Sequence, residues 1–389
     1  MVNERMKALG QSRSIIRELF EYGKKLAAEK GKDSVFDFSL GNPNVPAPEC
    51  VTEALIRLSK RSDIHDYSSS QGHLEVRQKI ADYNNQNWNV GLTADDIYMT
   101  TGAAAGLTII LNALTEEGDE TVAIAPFFPE YRVFTESAGS KFVICPSKED
   151  FTLDIDALDK AITKHTKCII VNSPNNPAGV VYSRQEIEAL SALLSKKQSE
   201  YGRPIYLISD EPYREITYGK EVVNPMNFYD NTVICYSYSK TLSLAGARIG
   251  YLAVSPRADG RRDVYAAICG AGRALGYVCA PSIFQYVIAE CLGKTSDLSI
   301  YKTNRDLLYD ILTDLGFDCI KPEGAFYLFV KSPCDPQKFF ETCKEEGILL
   351  VPSDSLGVKG YVRIAYCVAT DTIVRSAPHF KAVAEKCGL

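Results

Sequence analysis

A chain of 389 residues, 46% hydrophobic and 24% charged, is long enough for more than one compact domain and too apolar for a disordered or fibrous protein. Its 43 basic and 49 acidic residues leave a net charge of -6 in mixed signs, with no basic tract to neutralise a nucleic-acid backbone or an anionic membrane. The 12 cysteines and 4 histidines are scattered singly, so neither a metal site nor a disulfide framework is indicated, and small-molecule chemistry is favoured. No run approaches the ~18 apolar residues of a spanning helix. Residues 1–7 lack the apolar stretch of a secretory signal, so a cytoplasmic location is expected.

In chain order, an amphipathic helix is expected near 13–29, beginning at Arg13. Short apolar, β-branched runs follow at 96–99, 121–125, 141–145, 168–172, 205–208, 232–236 and 249–254. Helix-period segments lie between several of them, among them 105–115, 156–165 and 183–197. Parallel strands joined by crossover helices satisfy that alternation, which predicts an α/β domain built on a seven-stranded, mostly parallel sheet flanked by helices. Beyond about Pro281 the pattern changes to amphipathic stretches at 282–291 and 298–315, short strands at 326–330 and 361–365, and a final helix from Asp371. The expected division is a large domain over 47–284 and a smaller, discontinuous α+β domain from 1–46 and 285–389.

The run Ser237-Tyr238-Ser239-Lys240-Thr241 places a lysine straight after a hydroxyl-rich strand end, with Arg248 eight residues on. That arrangement holds an aldehyde cofactor covalently through its carbonyl and ionically through its phosphate. Taken alone, Lys240 would be a solvated surface residue. Asp210 closes another predicted strand, and open α/β sheets bind ligands at the carboxyl ends of their strands. A carboxylate there keeps a pyridine nitrogen protonated; alone, the same acid would be a turn residue. Tyr213 and Asn176 are candidates to hydrogen-bond a ring phenolic oxygen, with a half-buried aromatic and a plain Asn-Pro turn the alternatives. Gly102, Ala103 and Ala104 open a helix with small residues whose N–H groups can cradle a phosphate, joined by the Ser237 hydroxyl and the Arg248 guanidinium. Phe128, after another strand, is a candidate to stack on the cofactor ring, with core packing the alternative.

Taken in order, these segments resemble fold-type-I pyridoxal-phosphate aminotransferases of class I/II, the aspartate aminotransferase type, over nearly the whole chain. The resemblance implies pyridoxal 5'-phosphate as cofactor, bound as an aldimine to Lys240, with Asp210 at the pyridine nitrogen, Asn176 and Tyr213 at the phenolic oxygen, and Gly102, Ala103, Ala104, Ser237 and Arg248 at the phosphate. It implies that Tyr67 reaches the phosphate in a partner subunit, hence a homodimer with shared sites. It further implies that Arg363, with the backbone near Gly41 and with Asn176, binds the substrate α-carboxylate. This chain departs from the family pattern at Ala104, Phe128 and Ala247, positions where relatives often carry a hydroxyl or basic side chain, another aromatic and a tryptophan.

The implied reaction is transamination between an L-amino acid and a 2-oxo acid such as 2-oxoglutarate. Aspartate is the first donor considered, with Arg273 a candidate for a distal carboxylate. Aromatic or broad specificity is the competing expectation, and β-elimination, as in a C–S lyase, is the rival chemistry on the same fold. A noncatalytic regulator would need a DNA-binding module, and no basic helix-turn-helix precedes residue 40.

Overall fold

A computed structural model describes residues 2–11 and 15–389. The chain forms two compact units: Met1–Asn44 with Ser299–Pro322 and Phe326–Leu389, and Val45–Leu298 with Glu323–Ala325. The strands, in chain order, are β1 Phe36–Asp37, β2 Ile97–Thr100, β3 Glu120–Ile124, β4 Lys141–Cys145, β5 Thr166–Asn172, β6 Tyr206–Asp210, β7 Thr232–Ser237, β8 Gly250–Val254, β9 Tyr327–Lys331, β10 Ile348–Leu349, β11 Val351–Pro352 and β12 Tyr361–Ala365.

In the larger unit, seven strands form one sheet in the order β2-β8-β7-β6-β5-β3-β4. The pairs β3–β4, β3–β5, β5–β6 and β6–β7 are parallel, and β8 runs antiparallel to both β7 and β2. All seven expected strands are present, each within about two residues of its expected bounds. β2, β3, β6, β7 and β8 are buried along their whole length, which accounts for the lack of a strict apolar/polar alternation in their sequences. Crossover helices include Ala103–Leu114, Ile155–Ala161 and Arg184–Tyr201. The last is bounded by local chemistry: Ser183 and Glu186 close a capping box at its start, and Gly202 takes the left-handed conformation at its end.

The expected domain boundary at 284 falls inside the helix Ser282–Glu290. Val287 and Ile288 of that helix pack with Val76, Ile80 and Tyr251 in the core of the larger unit, which continues to Leu298.

The smaller unit has a three-stranded antiparallel sheet, β11-β12-β9, and a parallel pairing of β1 with β10 that sets Phe36 opposite Ile348. Helices Ile15–Lys30, Ser299–Asp314, Pro336–Glu345 and Thr370–Cys387 belong to it. Arg13, the expected start of the first of these, lies outside the described residues. Among the described residues no helix is long and apolar enough to cross a membrane.

Candidate active site

The parallel strands β5, β6 and β7 end at Asn172, Asp210 and Ser237, and their register sets Asn172 beside Asp210 and Asp210 beside Cys235. The loops that carry chemistry therefore leave from one edge of the sheet. Asp210 is 4% exposed. Its Oδ2 accepts a 2.5 Å hydrogen bond from the Tyr131 hydroxyl, while its Oδ1 is buried without a partner. Burial, with the nearby Glu211 charge adding to it and the Tyr131 bond opposing it, pushes the Asp210 carboxyl up to about 7. A buried carboxylate oxygen left unpaired costs about 1–3 kcal/mol or more, and a cationic N–H facing it would remove that cost.

The turn after β5 is held rigidly beside this acid. The Asn172 side chain donates to the Asp210 carbonyl (2.8 Å) and accepts from the Asn176 amide N–H (2.7 Å). Asn175 accepts from the Ala178 N–H at 2.8 Å and donates towards the Pro126 carbonyl at 3.4 Å, tying this turn to the one after β3. Asn176 and Tyr213 are both buried. Phe128 is half-buried, its ring edge-on to Tyr131 at 5.7 Å between centroids. Phe128, Tyr131 and Asp210 thus form a connected series.

A second group gathers where β2, β8 and β7 lie side by side. Register pairs Thr100 with Gly250 and Gly250 with Ser237, which draws the segments on either side, Gly102–Ala104 and Arg248, to the same place. A Cβ added to Gly102 would sit 2.7 Å from Arg248 Nη2, so the guanidinium rests directly over the Gly102 backbone. Gly102 has φ +85° and offers no side-chain cap to the helix Ala103–Leu114 that it starts, leaving the first N–H groups to another acceptor. Arg248 is exposed, and its Nη1 donates to the Ala245 carbonyl at 2.9 Å. Ser237 is buried and caps the short helix Tyr238–Thr241, accepting from the Ser239 N–H at 3.2 Å. Lys240, on that helix, is half-buried.

Tyr67 is 95% exposed, although its neighbour Ser68 is anchored by Gln285 and Cys279. Arg273 is exposed in the last turn of the helix Arg261–Leu275.

The remaining expected residues cluster in the smaller unit. Arg363, in the middle of β12, is 3% exposed; its Nη2 donates to the Ser39 carbonyl at 2.8 Å and its guanidinium lies 4.6 Å from the centre of the Tyr327 ring. The Tyr327 hydroxyl packs against Gly41, where any Cβ would collide with it.

Sequence reasoning passed over Tyr131, Asn172, Asn175 and Tyr327. Tyr131 lies at the start of the helix Glu130–Ser137 and its N–H donates to the Phe128 carbonyl at 3.1 Å, but this local turn does not announce its contact with Asp210.

A ring nitrogen facing the unpartnered Asp210 oxygen and a phosphate over the uncapped helix start beside Arg248 fit the residues present. The fold and this chemistry together define a pyridoxal-phosphate enzyme of the open α/β kind. The family described as aminotransferase class I and II matches residues 33–377. The chain is similar to a probable aspartate aminotransferase of Methanocaldococcus jannaschii, with 30% identity over 99% of this chain and 100% of that one. Among solved structures it is similar to an amino transferase from Eubacterium rectale, with a TM-score of 0.98 and 51% identity over 100% of both chains. It is also similar to the aspartate aminotransferase from Thermus thermophilus with maleate, with a TM-score of 0.87 and 25% identity over 98% of this chain and 99% of that one. The chain belongs to the class I and II aminotransferase family. It uses pyridoxal 5'-phosphate to transfer an amino group between an amino acid and a 2-oxo acid, and these relatives favour transamination over elimination.

Proposed function

We propose that the chain works as a cytoplasmic homodimer that transfers the amino group of L-aspartate to 2-oxoglutarate, through the residues assigned above. The observation that carries the site assignment is the buried Asp210 carboxylate, with one oxygen engaged by Tyr131 and the other waiting for a donor. Aspartate as donor is supported by the names of the relatives and by the four-carbon dicarboxylate, maleate, in one of them. The dimer is supported by Tyr67, an aromatic held almost wholly in solvent on an anchored segment. The 12 free cysteines suit a reducing compartment.

Pyridoxal 5'-phosphate, when bound, supplies an aldehyde that condenses with amines and a ring that accepts the electron pair left by a broken substrate Cα–H bond. Lys240 would provide the amine that tethers the aldehyde and would be the base that carries the substrate Cα proton. Asp210 keeps a proton on the ring nitrogen. Asn176 and Tyr213 hold the phenolic oxygen, Phe128 packs against the ring, and Gly102, Ala103, Ala104, Ser237 and Arg248, with Tyr67 of the second subunit, hold the phosphate. Arg363 fixes the substrate carboxylate with Asn176 and the backbone at Gly41, and Arg273 is the proposed partner for the distal carboxylate.

Borohydride reduction of the holoenzyme followed by peptide mapping tests the assignment: the label is expected on Lys240, and a label on another lysine would refute it. A panel of amino donors with 2-oxoglutarate tests the substrate. Aspartate should lead the panel, and an aromatic donor outpacing it about tenfold would overturn the reading. Arg273→Ala should raise KM for aspartate and leave alanine turnover alone; unchanged aspartate kinetics would dismiss that contact.

A further inference from the structure

A buried ion network lies behind the strand ends that carry the proposed site. Glu211, Arg214 and Thr241 are 2%, 5% and 2% exposed. Ser209 Oγ donates to Glu211 Oε1 (2.7 Å), Glu211 Oε2 lies 3.3 Å from Arg214 Nη1, and Arg214 Nε lies 3.4 Å from Glu215 Oε1. Glu215 Oε2 in turn accepts from the Thr241 hydroxyl at 2.7 Å and from the Tyr236 hydroxyl at 2.9 Å. The guanidinium is further fixed by a 2.7 Å bond from Nη2 to the Tyr251 hydroxyl, and by the Trp88 and Tyr236 rings at 4.6 and 4.1 Å.

The members of this chain of contacts stand in a particular relation to the site. Glu211 follows Asp210, Arg214 follows Tyr213, and Thr241 follows Lys240. Each is one peptide bond, about 3.8 Å between Cα atoms, from a residue assigned to hold the cofactor. Glu211 continues from a strand end, where neighbouring side chains alternate in direction, so a residue held on one side sets the aim of the next. Buried ion pairs rarely outperform apolar side chains of the same volume in stability; what they do is restrict geometry, here through the hydrogen bonds from Ser209 to Glu211, from Arg214 to Tyr251 and from Thr241 to Glu215, while Glu211 Oε2 and Arg214 Nε make ion-pair contacts without hydrogen-bond geometry.

We infer that Glu211, Arg214, Thr241 and the partly exposed Glu215 form one brace that fixes the main chain at Asp210, Tyr213 and Lys240 relative to one another, making them positioning residues for proton transfer. The inference rests on the site assignment above. Thr241→Val cuts the link to Glu215 without changing charge or volume, and Thr241→Ser restores it. In the holoenzyme, the pH titration of the absorption band of the Lys240-bound cofactor should move by roughly 0.5 unit or more in Thr241→Val. Its kcat should fall by roughly tenfold at near-constant KM, and Thr241→Ser should return both to wild-type values. A Thr241→Val enzyme with wild-type titration and kcat overturns the brace. If the valine variant does not accumulate, Glu215→Gln, which keeps the shape and removes the charge, takes its place: a shifted titration and lowered kcat support the brace, and wild-type values overturn it. Borohydride mapping of each variant separates the two ideas: a label away from Lys240 refutes the site assignment, whereas a label on Lys240 with an unmoved titration refutes only the brace.

Discussion

In the proposed site, Asp210 would make the chemistry sensitive to a single hydrogen bond. The Tyr131 hydroxyl holds the carboxyl below where burial alone would put it, so Tyr131→Phe should raise it further. A hydrogen bond to a charged group contributes about 1.5–3 kcal/mol, so the acidic limb of kcat/KM should move to higher pH by roughly 1 unit, measurable in a pH–rate series. The same carboxyl links pH to folding. Its folded value of about 7 lies above the ordinary 3.8, so between these values the folded chain holds a proton that the unfolded chain releases. Stability of the cofactor-free protein should therefore fall as pH rises through that window, by up to ~4 kcal/mol from this group. Urea unfolding at several pH values should show that slope in the wild type and its loss in Asp210→Asn. Asp210 stood out in the sequence because it closes a predicted strand, and Lys240 because it follows a hydroxyl-rich strand end with Arg248 eight residues on. Tyr131 did not, because its partner lies 79 positions away and only strand order brings them together.

At the scale of the element, the start of the helix Ala103–Leu114 is the informative case. A run of small residues after a strand announced a turn into a helix, but nothing local announced that Arg248 would lie over Gly102. That contact depends on β8 entering the sheet beside β2, a pairing between strands about 150 residues apart. Gly102→Ala would push a methyl towards the guanidinium and force a residue with a Cβ to φ +85°. Weaker cofactor retention, with Kd up roughly tenfold, and a loss of about 1–2 kcal/mol in stability should follow, read by cofactor dialysis and denaturant unfolding. Hydrogen exchange provides an independent check: the N–H groups of Ala103–Ala105 should become protected when the cofactor phosphate binds. Loss of that protection in Gly102→Ala would tie the affinity change to the helix start.

For the whole molecule, periodicity supplied the strands and the fold class, but not their order. The reversal of β8 was hidden, because a strand buried on both faces has the same composition in either direction. The helix Ser282–Glu290 shows the same limit, since its amphipathic pattern does not say which core receives its apolar face. The proposed dimer is testable at this scale too. Sedimentation should give the mass of two chains, and mixing Tyr67→Phe with Lys240→Ala subunits should produce activity unlike the average of the parents if sites are shared. Strict averaging would refute sharing.

The two units also differ in when they can be completed during synthesis. The larger is almost one uninterrupted stretch, whereas the smaller joins β1 near the beginning to β10, some 310 residues later. On the ribosome, the sheet with its lysine and aspartate has most of its chain available while the first 44 residues still lack the strand they pair with. Those early residues are the ones left to chaperones and proteases for longest, and substitutions that loosen β1 should first appear as reduced yield of new protein, with the finished enzyme little changed.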